Sequence, residues 1–187
     1  MGGDADYVMD HMGGFGADGL PRFLYGDSSY AHKAAVVKDS NHSHKKSISS
    51  YILLAEQGDI NAQNNLVFLY REAKNYLGAF KWATRAAEQG YPMAQTILGS
   101  MYEYGRGVPQ DYETAIIWYT LAAEQGDASS QSVLGSMYEY GKGVPQDYET
   151  AIIWYTLATE QGNAVAQRNV GSMYEYGRGV PQDYETA

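Results

Sequence analysis

Residues 105–140 read GRGVPQDYETAIIWYTLAAEQGDASSQSVLGSMYEY, and residues 141–176 repeat them with identity at 28 of 36 positions. A third copy begins at Gly177 and runs to Ala187. Upstream, Glu-Gln-Gly recurs at 56–58, 88–90, 124–126 and 160–162, so its glycines are 32, 36 and 36 residues apart. Periods of this size mark an array of small units, none able to bury its apolar face alone, that build one core by stacking. The short first interval comes from the turn, where Arg71–Asn75 replace the later Glu103–Asp111.

Each unit reads as two helices. In Ala94–Tyr104, the residues Ala94, Ile97, Leu98, Met101 and Tyr102 share one face at helical spacing, with Thr96, Ser100 and Glu103 opposite. Gly105 is a helix stop that can take the left-handed cap conformation, and Gly107 and Pro109 continue the turn. Asp111 is placed to N-cap the next helix. That second helix, Tyr112–Gln125, has one broad apolar face made by Tyr112, Ala115, Ile116, Tyr119, Ala122 and Ala123. Ile117 and Leu121 make a second face nearly opposite, with Trp118 at its flank. Such a helix needs cover on more than one side, which stacking supplies. Gly99, Gly135 and Gly171 fall mid-helix, where Gly costs about 1 kcal/mol against Ala, and they predict close helix–helix approach.

Composition removes several classes of function. The net charge is −9, so a surface for nucleic-acid phosphates is not expected. No cysteine is present for a disulfide, a thiolate metal site or a thiol nucleophile. No apolar run is long enough to span a bilayer. Met1–Asp10 is acidic with no apolar stretch after it, which makes a cytoplasmic location the expectation. The Ser-x-x-Lys spelling at 43–46 sits in polar sequence, and Gly105-Arg106-Gly107 follows a helix rather than a strand. Neither marks a catalytic or phosphate-binding loop. His11, His32, His42 and His44 have no acid positioned to complete a metal site. We therefore expect no enzyme activity, no cofactor and no metal.

The stretch LGSMYEYGRGVPQDYETAIIWYTLAAEQGDA resembles a Sel1-like repeat, a relative of the tetratricopeptide helix pair. The family's positions fall on Ala94, Leu98, Gly99, Tyr102, Gly105, Gly107, Val108, Asp111, Ala115, Trp118, Tyr119, Ala122, Ala123 and Gly126, and recur through Gly162. The unit Ala62–Gly90 keeps Leu66, Tyr70, Tyr76, Trp82 and Gly90 but lacks the Gly-x-Gly-Val turn. Thr159 replaces an Ala, Val170 replaces a Leu, and Leu121 and Leu157 stand where the family often carries Lys. The resemblance implies an all-α fold, a right-handed α/α superhelix of about four helix pairs over residues 47–187, the last pair incomplete. Residues 1–46 show no repeat and carry seven glycines in the first 26, and they read as a disordered tail. The stop inside a second helix leaves Met173, Tyr174, Val180 and Tyr184 at an open end. We read it as a fragment of a longer array, with self-association through that end as the other expectation.

The resemblance also implies a non-catalytic protein–protein interaction module, an adaptor or scaffold in signalling, with its partner on the concave face that first helices line. Carried over by position, that lining is Gln95, Ser100, Glu103 and Tyr104, then Gln131, Ser136, Glu139 and Tyr140, then Gln167, Arg168, Ser172, Glu175 and Tyr176. Glu beside Tyr suits a basic protein or peptide, because Tyr supplies contact area and Glu supplies charge. Reversing Glu103 and Glu139 to Lys is expected to leave the fold intact. The alternative reading is a regulatory subunit or the repeat region of a larger enzyme, such as a kinase or a polysaccharide synthase activator.

Overall fold

A computed structural model describes residues 42–181, with side chains from Ile48 onward. The tail expected over 1–46 lies outside the described residues up to 41, and Tyr184 and the unfinished second helix lie outside them too. The described residues form eight helices and no strand. They fall into two compact units, divided between Gln110 and Asp111. The first holds α1 (His42–Glu56), α2 (Ile60–Glu72), α3 (Tyr76–Glu88) and α4 (Pro92–Tyr104). The second holds α5 (Tyr112–Glu124), α6 (Ala128–Tyr140), α7 (Tyr148–Glu160) and α8 (Ala164–Tyr176). Within each unit every helix packs on the next in sequence, and α6 also touches α8.

The repeat fixes where helices start and stop. From α2 onward each is 13 residues long, because the same cap residues recur at the same spacing. Asp111 behaves as its sequence position predicts: its carboxylate accepts from Thr114 N at 3.1 Å and from Thr114 Oγ1 at 2.6 Å. Asp59, Asn75, Asp127, Asp147 and Asn163 cap α2, α3, α6, α7 and α8 in the same way. Only α4 has no side-chain cap among these; it starts at Pro92, whose missing N–H removes one of the donors a cap would satisfy. At the other end, α4, α6 and α8 stop at Gly105, Gly141 and Gly177, all left-handed with φ of 63°, 65° and 61°. The short turn of the first unit reaches the same region with Lys74, at φ 56°.

In the first unit the core is Ala55, Ala62, Leu66, Val67, Ala79, Phe80, Ala83, Ala94, Leu98 and Met101, and the rings of Phe80 and Tyr102 meet edge to face at 5.6 Å. In the second it gathers Leu134, Met137, Ala151, Tyr155, Ala158, Ala166 and Met173. Trp118 is buried, as its spacing predicts. The mid-helix glycine of α6 is there for contact: a Cβ on Gly135 would lie 2.5 Å from the Tyr155 ring. The second apolar face of the second helices divides by repeat. Ile117 and Leu121 on α5 are half-buried, whereas Ile153 and Leu157 on α7 are 59% and 38% exposed.

Candidate functional site

The first helices α4, α6 and α8 carry the expected binding residues, and the structure sorts them into two groups. Gln95, Glu103, Gln131 and Glu139 are buried, at 4%, 7%, 5% and 4% exposure, so they do not line an open surface. This corrects the sequence expectation, and each burial has a physical reason. The last four carbonyls of a helix have no partner within it. Gln95 Nε2 donates to Ala87 O near the end of α3 at 3.3 Å, and Gln131 Nε2 donates to Ala123 O near the end of α5 at 3.1 Å. Gln63 does the same for Ala55 O of α1 at 3.0 Å. Each glutamine is therefore the C-terminal cap of the helix before its own. Its amide oxygen serves as well: Gln131 Oε1 accepts from Gln161 Nε2 at 2.7 Å, and Gln63 Oε1 accepts from Gln89 Nε2 at 2.8 Å. The glutamine of each of these Glu-Gln-Gly triplets thus ties the end of the second helix to its first.

Glu139 is the centre of a polar cluster inside the second unit. Its carboxylate accepts from Tyr155 Oη at 2.9 Å and pairs with the Arg178 guanidinium at 3.2 Å. Burial, followed by the neighbouring Glu139 carboxylate, pushes the Tyr155 hydroxyl far above the ordinary phenol range. Ser136 and Asn169 act on the Tyr155 hydroxyl in the opposite sense to Glu139, favouring its ionised form. Charge reversal here would set an ammonium against Arg178, so the expectation that Glu139→Lys leaves the fold intact is withdrawn. Tyr155, Arg178, Asn169 and Gln161 were absent from the sequence-derived set. The signal for Arg178 was the spacing of 39 residues from Glu139, which the sequence repeats between Glu103 and Lys142.

The second group faces solvent. Tyr104, Tyr140 and Tyr176 are 59%, 60% and 59% exposed, and each is the last residue of its helix. Arg106 lies over the Tyr104 ring at 5.2 Å, and Arg178 lies over Tyr176 at 5.2 Å. Burial, then the Glu139 charge and hydrogen bond, raises the Tyr140 hydroxyl above its usual value. Gln167, Arg168 and Glu175 on α8 are exposed, and Ser100, Ser136 and Ser172 are half-buried. Ser100 Oγ donates back to Ile97 O at 3.0 Å. Among the described residues no cluster of His, Asp or Glu is arranged to hold a metal, and no helix is long and apolar enough to cross a membrane.

A helix pair of fixed length, closed by a left-handed glycine and repeated through the chain, defines an all-helical repeat protein. The Sel1 repeat family matches residues 69–91, 92–127, 128–163 and 164–187, and the chain belongs to that family. Solved structures agree. One is a protective antigen present in uropathogenic Escherichia coli strains and displaying an SLR fold. It is 40% identical over 74% of this chain and 31% of its own, with a TM-score of 0.72. Another is a Sel1 repeat protein from Oxalobacter formigenes, 38% identical over 76% of this chain and 43% of its own, with a TM-score of 0.67. The chain spans less than half the length of either. Sel1 repeat proteins generally mediate protein–protein interaction and are typically non-catalytic.

Proposed function

We propose that this chain is a non-catalytic adaptor or scaffold that binds a partner protein or peptide through the solvent-facing residues of its first helices. The observation that carries the reading is the tyrosine closing α4, α6 and α8, about equally exposed in all three. A Tyr ring gives large contact area at small entropy cost, and an arginine over its face adds a donor without blocking its edge. In the second unit Gln167, Arg168 and Glu175 supply polar contacts on the same set of helices. Glu103 and Glu139 drop out of the lining, so the tyrosines and not a carboxylate row are the anchors.

The test is affinity capture from native lysate with the full chain as bait, read by mass spectrometry beside the Tyr104→Ala/Tyr140→Ala/Tyr176→Ala form. These side chains are exposed, so circular dichroism should show unchanged helicity. A partner held by the wild type and lost from the triple variant is the expected result. Equal recovery of every partner from both baits would remove this surface from consideration.

A further inference from the structure

The turn after α4 holds a cation for which the first unit provides no acid. Arg106 lies over the Tyr104 ring at 5.2 Å and over the Tyr76 ring at 6.0 Å. Gly107 fixes its place: at φ 79° the backbone lies so close to the start of α3 that a Cβ would collide with Tyr76 O. A guanidinium held by ring faces keeps its N–H donors for another acceptor. In the second unit the same turn position is Arg178, and it pairs with Glu139 of the preceding first helix at 3.2 Å. In the first unit Arg71 stands at the place of Glu139, so the acid is missing and a second cation replaces it. Lys74, two residues before Tyr76, is a third. All three are exposed, and among the described residues no carboxylate pairs with any of them. Glu72 is exposed beside Arg71, and Glu103 is buried with partners of its own. Described helices precede and follow this turn, and its counterpart Lys142 is exposed too, so the exposure is not that of a chain end.

We infer that Arg106, held against Tyr76 and Tyr104, is the binding site for an acidic segment of the partner, one that carries neighbouring glutamates or aspartates. The inference rests on the reading of Tyr104 as a partner anchor, because the ring that meets the partner also holds the arginine. Arg178 shows what a guanidinium at this turn position accepts, which is a carboxylate. Arg71 cannot supply one in the first unit, so it comes from the partner. Arg71 and Lys74 add positive potential on the same unit, which suits two neighbouring carboxylates better than one. A guanidinium also meets a carboxylate with two parallel N–H donors, a geometry that an ammonium lacks. With Glu103 buried, the exposed charge beside Tyr104 is a cation. That favours an acidic partner over the basic one that Glu103 had suggested.

The experiment is fluorescence anisotropy with the full chain and a short labelled peptide, capped at both ends, that carries two glutamates between leucines. Control peptides place glutamine or phosphoserine at the same two positions. The glutamate peptide should bind about tenfold more tightly than the glutamine peptide at low salt, and added salt should close the gap. Arg106→Gln should remove that preference and Arg71→Gln should reduce it severalfold. Lys142→Gln, at the matching turn of the second unit, should leave it unchanged. Tyr104→Ala should weaken both peptides. All four positions are exposed, and circular dichroism checks that each variant stays folded. If Tyr104→Ala weakens neither peptide, the tyrosine reading falls and this inference with it. If it weakens both while Arg106→Gln keeps the glutamate preference, only this inference falls. Equal affinity of the wild type for the glutamate and glutamine peptides would overturn it as well. So would a phosphoserine peptide bound about tenfold more tightly again, since phosphate would then be the ligand. Sedimentation showing a wild-type self-association that Arg106→Gln dissolves would also overturn it, because a second copy would then supply the acid.

Discussion

The two units are cut from one helix pair, yet the first carries five acids and five bases between residues 48 and 110, and the second nine and three between 111 and 181. Their interiors match: alanines at the helix crossings, a tyrosine or phenylalanine filling the space beside them, and a glutamine reaching back to the preceding helix. Their exteriors do not. Lys81 and Arg85 close over an indole in α3, whereas Ile153 and Leu157 lie open in α7. Arg71 sits exposed at the α2 position that Glu139 occupies, buried and paired, in α6. The difference separates positions that hold the pair together from positions left free for other use.

Charge reversal gives the widest contrast. Glu139→Lys should cost about 3–5 kcal/mol, because Arg178 and the Tyr155 hydroxyl lose a buried partner. Arg71→Glu, at the matching place in the first unit, should stay within about 0.5 kcal/mol. Equal shifts in urea melts of the two variants would erase the distinction. Next come the packed glycines. A Cβ at Gly135 meets a fully buried Tyr155 ring, whereas one at Gly78 lies 2.8 Å from Tyr70, which is only half-buried. Gly135→Ala should therefore cost about 1–3 kcal/mol and Gly78→Ala distinctly less, as Tyr70 can swing outward.

Alkaline titration probes the second unit most strongly, through Tyr155, although burial also raises the Tyr70 hydroxyl in the first. The folded Tyr155 hydroxyl ionises well above its unfolded value, so its contribution is complete below about pH 10 and is lost as pH rises beyond it. Melts between pH 9 and pH 11, about the usual phenol value, should show this loss, and Tyr155→Phe should flatten it. A small gain is open to the first unit. Lys74 occupies left-handed backbone at φ 56°, where the later turns place glycine. Lys74→Gly should stabilise by about 0.5–1 kcal/mol, a gain checked by thermal melts.

Helix ends were the most legible part of the sequence, because caps are local: Asp111 and Gly105 need only their neighbours to act. The approach predicted by a mid-helix glycine also holds at Gly135, where Tyr155 fills the space. Burial of polar residues was illegible for the opposite reason. A hydrophobic period sends Gln131 and Glu139 outward, and nothing within their own helix argues otherwise. Their acceptors and donors, Ala123 O, Tyr155 Oη and Arg178, lie on other elements. The usable clue was in the array itself, where a glutamine stands eight residues after an alanine at 55/63, 87/95 and 123/131. The first helix read from Ala94 begins two residues earlier, at Pro92, because a proline in the first turn needs no N–H partner.

The glutamine that reaches back eight residues also bears on how such a gene can grow. Donor and acceptor travel together at 87/95 and 123/131, one 36-residue period apart, so unequal crossing-over between those two copies rejoins an alanine carbonyl with a glutamine amide. Gain or loss of a whole period between those copies then keeps the bond at both helix ends, while an insertion inside those eight residues separates the pair. Duplication is thereby made structurally silent, and near-identical neighbours such as 105–140 and 141–176 are the expected residue of that history.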